Sequence, residues 1–229
     1  MGSILIIAGS AEAFALSQSL PQASVRLAAR ERVARGWAVP PQPLRDADFE
    51  ACPDAVIEAA HPVDTRTAER VAEACRLRGL RHCQLVRPPW RATRADRWHR
   101  LRRPEDAAAV IPEGARVLAT LGRAELPRLK ALRARLFVRR LGMDPDHDPI
   151  GRGQVLRGQG PFSVAEEIAL LRRHRIDWIL SYNAGGPGGW PKLAAARALG
   201  IDVALIDRPR RPDGPRVRTI KEAVQWVTG

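Results

Sequence analysis

The stretch Ile4-Leu5-Ile6-Ile7-Ala8-Gly9-Ser10-Ala11-Glu12-Ala13 decides the fold class. Its apolar run, Ile4 to Ile7, is β-rich and too short for a helix. It stops at Gly9-Ser10 and leads into a helical segment, Ala11 to Leu20, so the stretch reads strand–turn–helix. Such a unit feeds a parallel sheet, and the rest of the chain repeats the alternation.

Further strands are predicted at Val25 to Ala29, Asp54 to Ala60, His82 to Val86, Arg116 to Leu121, Leu136 to Leu141, Trp178 to Ser181 and Val203 to Ile206. Helices are predicted at Thr65 to Arg78, closed by Gly79, at Glu125 to Arg135, and at Pro191 to Leu199, closed by Gly200. Ser163-Val164-Ala165-Glu166 is a capping box opening a helix that runs to about His174, and Thr219 caps a last helix ending at Val227. Pro40-Pro41-Gln42-Pro43 reads as irregular, and Arg91 to Arg103 as a polar stretch. Strands alternating with helices imply parallel sheets covered on both faces. A break near Pro112-Glu113-Gly114 divides the chain into two α/β halves, 1–113 and 114–229, with no internal repeat visible in the sequence. The expected architecture is two Rossmann-like domains with a ligand cleft between them.

The chain has 229 residues, 45% of them hydrophobic, enough for a substantial core. Its net charge is +13, and 35 of the 38 basic side chains are Arg. Arginine's flat fork suits carboxylates and phosphates. The excess fits an anionic partner, or equally a GC-rich genome. Three cysteines, Cys52, Cys75 and Cys83, lack the spacing of a metal site or disulfide framework, as reduced cytoplasmic thiols do. No HxH or HExxH pattern occurs, so no metal is expected. No apolar run approaches the roughly 18 residues of a membrane span. The N-terminal segment lacks the basic region of a signal peptide, and Ile6 breaks the myristoylation pattern that Gly2 invites. A cytoplasmic protein is expected.

In parallel sheets, ligands gather beyond the carboxyl ends of the strands. Gly9, Ser10, Ala11 and Glu12 follow the first strand, where helix N–H groups favour a phosphate, although a plain tight turn has the same look. Arg30 follows the second strand, at a position suited to the 2′-phosphate of NADPH or to an ordinary surface charge. His61-Pro62 closes a strand beside Asp64, and His61 is either a catalyst or a structural hydrogen-bonding residue. Arg87-Pro88-Pro89-Trp90 offers a cation and an aromatic platform in a stiff turn. Asn183-Ala184-Gly185-Gly186-Pro187-Gly188-Gly189 lets backbone approach a ligand closely, or is merely flexible.

Taken in order, these segments resemble the precorrin-6A reductase family of corrin-ring (vitamin B12) biosynthesis. The resemblance is carried by the opening stretch, Ala60-His61-Pro62, Arg87-Pro88-Pro89-Trp90, Gly122-Arg123, Gly160-Pro161-Phe162-Ser163 and Asn183-Ala184-Gly185-Gly186. Lys192-Leu193-Ala194-Ala195-Ala196-Arg197 and Arg208-Pro209 extend it along almost the whole chain. It implies a monomeric reductase that uses NADPH to deliver hydride to C19 of the precorrin-6A macrocycle, giving precorrin-6B. It implies a cofactor set of Gly9, Ser10, Ala11, Glu12, Arg30, Asn183, Gly185 and Gly186, with His61 as catalytic candidate. Arg87, Trp90, Arg123, Arg139, Arg140, Tyr182 and Lys192 are the candidates for binding the anionic tetrapyrrole, with or without cobalt.

The chain departs from the family pattern at Ala60, where Thr is usual, at Val63-Asp64, at Ala29 and at Ala184, and Tyr182 replaces a usual cation. A catalytically silent or substrate-shifted member is one alternative. A nucleic-acid-binding protein is another, prompted by Arg91, Arg94, Arg97, Arg100, Arg102 and Arg103 around Trp90 and Trp98. No reading motif accompanies that cluster and the charge is spread through both halves, so no nucleic-acid partner is expected.

Overall fold

A computed structural model describes residues 2–29, 35–142 and 153–229. The chain forms two compact units, one of Met1–Pro88 with Pro209–Gly229, the other of Pro89–Arg208. Unit 1 begins β1 (Ile4–Ala8), α1 (Ala11–Ser19), β2 (Ser24–Leu27), β3 (Gln42–Pro43), α2 (Ala47–Glu50), β4 (Ala55–Ala59), α3 (Thr65–Arg78) and β5 (His82–Leu85). Unit 2 holds β6 (Trp98–Leu101), α4 (Ala107–Val110), β7 (Arg116–Ala119), β8 (Arg135–Leu141), β9 (Gly153–Gly158), α5 (Val164–Arg173), β10 (Trp178–Tyr182), α6 (Trp190–Leu199) and β11 (Asp202–Ile206). The chain then returns to unit 1 for β12 (Arg216–Val217) and α7 (Ile220–Thr228).

Each unit is built on a six-stranded sheet, ordered β12-β5-β4-β1-β2-β3 in unit 1 and β6-β11-β10-β7-β8-β9 in unit 2. All the pairings are parallel. From the central strand, β1 or β7, two further strands extend to one side in chain order, and the order then reverses toward β4 or β10. That is the doubly wound arrangement, whose reversal point is where ligands bind. The two sheets therefore share a topology, although no sequence repeat announces it.

The domain boundary differs from the sequence expectation at 113/114. Each sheet takes one of its two edge strands from beyond that boundary: β6 pairs with β11 in unit 2, and β12 pairs with β5 in unit 1. The chain consequently passes between units at 88/89 and again at 208/209. The expected helix from Glu125 to Arg135 is instead a 3-10 segment, Arg123–Leu129, with Pro127 inside it. Pro127 has no N–H to give a regular α-helix.

The cores follow from strand alternation. Every residue of β1 is buried. Ile4, Ile6 and Ala8 pack with Leu16 and Ala223 on the face covered by α1 and α7. Leu5 and Ile7 pack with Phe49, Val71 and Cys75 on the other. In unit 2, Val117 and Leu180 join one face and Leu118 and Ile179 the opposite one. Burying each such Leu or Ile side chain contributes roughly 1.5–3 kcal/mol. Among the described residues no helix is long and apolar enough to cross a membrane.

Candidate functional site

The reversal point of unit 1 lies between the ends of β1 and β4. There the backbones come so close that a Cβ on Gly9 would sit 3.1 Å from Ala60 Cα and 3.3 Å from His61 N. Ser10 is the N-cap of α1: its Oγ accepts the Ala13 N–H at 3.2 Å and donates to the Ala59 carbonyl at 2.7 Å. That hydroxyl is buried and engaged within the fold, so it shapes the turn. The N–H groups of Ala11 and Glu12 begin the helix and have no carbonyl one turn behind them. Glu12 carries an ion pair with Arg87, both side chains largely buried. Backbone donors at the N-terminus of α1 stand at this end of the sheet, where Arg87 offsets the negative charge of Glu12, an arrangement chemically suited to a phosphate. Arg30 lies outside the described residues.

His61 follows β4. Its Nδ1 accepts the Val63 N–H at 3.5 Å, a long contact, and its carbonyl accepts the Asp64 N–H at 2.8 Å. Asp64 caps α3, accepting the Thr67 N–H at 3.1 Å and the Thr67 hydroxyl at 2.7 Å. Beneath this turn is a buried polar cluster that the sequence analysis did not identify. Arg211 forms an ion pair with Glu58, donates from Nε to Gln84 Oε1 at 3.0 Å, and donates from Nη1 to the carbonyls of His61 at 3.4 Å and Pro62 at 3.3 Å. Glu58 Oε1 also accepts the Ala60 N–H at 2.7 Å. Burial pushes the Glu58 carboxyl upward, and Arg211 and the Ala60 N–H oppose that push. One signal was available: Glu58 interrupts the apolar run Ala55-Val56-Ile57, and a charge in a strand covered on both faces needs a partner.

In unit 2 the reversal point falls between the ends of β7 and β10. Thr120 follows β7 and donates its hydroxyl to Ser181 Oγ at 2.9 Å. The glycine-rich loop follows β10 and is ordered rather than slack. Asn183 Oδ1 accepts the Trp90 N–H at 2.8 Å, and Asn183 Nδ2 donates to the Trp90 carbonyl at 3.1 Å. The Trp90 indole donates to the Gly186 carbonyl at 2.8 Å. Arg208 donates to the carbonyls of Asn183 at 2.7 Å and Ala184 at 2.8 Å. Gly185 and Gly186 have φ of 68° and 74°, which only glycine adopts without strain.

Trp90 is thus a staple of this loop. Lys192 Nζ lies 5.3 Å from its ring centroid and donates to the Gly189 carbonyl at 2.9 Å. Tyr182 donates its hydroxyl to Glu125 at 2.8 Å, and burial together with that carboxylate pushes the phenol pKa up. Arg123 is exposed at the start of the 3-10 segment.

Two expected clamps point inward. Arg139 forms a buried bidentate pair with Glu167, at 2.5 and 3.0 Å, and its guanidinium lies 4.5 Å from the Phe162 ring centroid. A substrate carboxylate would have to displace Glu167, so the structure corrects Arg139 from clamp to core ion pair. Arg140 is also buried and donates to the Leu121 carbonyl at 3.4 Å, which ties down the loop after β7.

Comparison with known proteins shows the family and the fold. The family described as precorrin-6x reductase CbiJ/CobK matches residues 3–228. The chain is 35% identical to a precorrin-6A reductase of Rhodococcus erythropolis, covering 99% of this chain and 98% of the relative. It is 33% identical to a precorrin-6A reductase of Mycobacterium tuberculosis, covering 100% and 98%. A solved structure described as CobK precorrin-6A reductase superposes with a TM-score of 0.88 at 28% identity, covering 100% of this chain and 97% of the other.

Proposed function

The chain belongs to the precorrin-6x reductase family, and on that premise we propose that it reduces precorrin-6A to precorrin-6B with NADPH in corrin-ring biosynthesis. NADPH supplies, when bound, the hydride that adds to C19. The observation that supports this reading is the N-terminus of α1 at the reversal point of unit 1, whose backbone N–H groups suit a pyrophosphate, with Gly9 allowing the close packing of the strand ends that places it. Ala11 and Glu12 hold the pyrophosphate through their N–H groups, Arg87 offsets Glu12, and Arg30 reads the 2′-phosphate.

In unit 2 the stapled loop with Asn183, Gly185 and Gly186 is a second proposed ligand-contacting segment. Arg123 and Lys192 are the proposed contacts to the substrate's carboxylates, whereas the Tyr182 hydroxyl is committed to Glu125. Hydride addition leaves the conjugated macrocycle electron-rich, so a proton follows, and His61 is its proposed source. Orientation contributes to the acceleration: holding reacting atoms about 3–3.5 Å apart can supply roughly 7–11 kcal/mol. The protein acts as a cytoplasmic monomer in this reading.

The test is an anaerobic incubation of the purified protein with precorrin-6A, with NADPH and NADH in parallel. Cofactor oxidation with a two-hydrogen mass gain in the tetrapyrrole, faster with NADPH, is the expected result. Cofactor binding without turnover favours the substrate-shifted or silent alternative, for which Ala60 and Ala184, each lacking a hydroxyl, are the observation.

A further inference from the structure

We propose that Arg211 is a positioning residue of this site, holding the His61–Pro62 turn in its reactive placement through the two backbone carbonyls. The inference rests on the reading of His61 as a member of the site. Arg211 is buried, and Glu58 and Gln84 are fully so. Its guanidinium engages four groups: Glu58 on β4, Gln84 on β5, and the carbonyls of His61 and Pro62. Because the fork is planar and rigid, the turn's place is fixed relative to both strands at once.

Arg211 is itself held from behind. Gln84 Nε2 donates to the Pro212 carbonyl at 2.9 Å, and Arg216 donates to the carbonyls of Arg211 at 3.2 Å and Pro212 at 2.6 Å. Balancing the charge of Glu58 requires only a cation. A lysine in this place would do that, but a single ammonium on a flexible stem cannot also hold both turn carbonyls and Gln84. The fork is therefore what links the strands to the turn, and the charge is what keeps Glu58 buried.

The distinction sets the test. R211K keeps Glu58 paired and loses the grip on the turn. As a second variant, E58Q/R211Q removes the buried charges together, which avoids leaving one unpaired. Both are measured for thermal unfolding, KM for NADPH, and kcat with precorrin-6A. At least one is expected to fold with a midpoint close to that of the parent chain. In it, KM for NADPH changes less than threefold while kcat falls about ten- to a hundredfold, the range for a reacting group displaced by about 1 Å. H61A is expected to show a similar fall in kcat, and adding R211K to H61A to lower it little further. A folded R211K or E58Q/R211Q within twofold of the parent kcat overturns the inference while leaving His61 in the site. Multiplicative losses in R211K/H61A also overturn it, because the two residues then act separately. Full kcat in H61A alone removes His61 from the site, and the inference with it, without reference to any Arg211 variant.

Discussion

Asn183 and Trp90, 93 residues apart in sequence, clasp one another through both ends of the Asn183 amide: Oδ1 accepts the Trp90 N–H and Nδ2 donates to the Trp90 carbonyl. The amide therefore acts as a strand-like partner for an isolated backbone unit and orients the glycine-rich loop. Asn183→Ala leaves that N–H and carbonyl unpaired and is expected to cost about 1–3 kcal/mol in urea unfolding. Asn183→Asp keeps the acceptor, loses the donor and should fall between. In both, kcat/KM for reduction is expected to drop at least tenfold, and unchanged kcat/KM in a destabilised Asn183→Ala would make the clasp purely structural.

Gly188 and Gly189 give a matched pair on the same loop. A Cβ on Gly189 would lie 2.7 Å from the Trp90 ring and 3.0 Å from Lys192 Nζ, whereas one on Gly188 meets nothing within 4 Å. Gly189→Ala must therefore push the indole aside or strain the backbone, costing about 1–3 kcal/mol as overpacking does. Gly188→Ala is expected to be neutral within about 0.5 kcal/mol. Unfolding midpoints check the cost, and a shift in tryptophan emission in Gly189→Ala alone checks the cause.

Arg139 is expected to matter for stability and little for substrate affinity. Arg139→Met leaves Glu167 as an uncompensated buried carboxylate, a loss of about 3–5 kcal/mol. Arg139→Met/Glu167→Leu removes both charges and should recover much of it. If the folded double variant instead shows a tenfold higher KM for the tetrapyrrole, Arg139 returns to the substrate clamps.

How far these features were legible in the sequence depends on whether their signals are local. The apolar run of β1 specified a strand buried on both faces, and Ser163 with Glu166 forms the expected capping box, Ser163 Oγ accepting the Glu166 N–H at 3.2 Å. Gly79 and Gly200 end their helices in left-handed conformation, as their positions predicted. β6 was missed because it is an edge strand: it needs only one sheet neighbour and lies in an Arg-rich stretch without a long apolar run. β12 is two residues long and carries no periodicity at all. The site divides the same way. Its glycines and His61 stand at strand ends and were visible. Arg211 was not, because its ion-pair partner lies 153 residues away and no local pattern links an Arg beyond the last unit 2 strand to a Glu in β4.

Stability toward acid should carry the mark of His82. Burial, and to a lesser degree the nearby charge of Arg211, lower its pKa from 6.5 to about 4, and its Nε2 is buried without a hydrogen-bond partner. The unfolded chain therefore takes up a proton at His82 near pH 6.5, while the folded chain takes it up only near pH 4. Between those values the unfolded state holds more protons, so stability falls as pH falls; above pH 6.5 and below pH 4 this residue contributes no slope. The accumulated loss is up to about 3 kcal/mol. His82→Gln should flatten the parent's slope across this window by about one proton, measured as urea unfolding free energy from pH 4 to 7. An identical slope in both proteins would mean that His82 titrates normally in the folded state.

The pair Glu12–Arg87 leads us to propose that Arg87 serves the cofactor and not the tetrapyrrole. The sequence pattern assigned Arg87 to the tetrapyrrole, but its guanidinium is joined to Glu12 in the first turn of α1, within the proposed pyrophosphate cradle. Removing Arg87 leaves the Glu12 carboxylate unbalanced at the place proposed for the pyrophosphate dianion. Arg87→Ala is therefore expected to raise KM for NADPH at least tenfold, about 1.4 kcal/mol, with KM for precorrin-6A changed less than threefold. Glu12→Gln alone should change KM for NADPH little. Glu12→Gln/Arg87→Ala should recover part of the Arg87→Ala loss, because the repelling charge is gone along with its partner. Steady-state kinetics on the four proteins of this cycle separate the two assignments. A rise confined to KM for precorrin-6A, unaffected by Glu12→Gln, would return Arg87 to the substrate and leave Glu12 with only a structural partner.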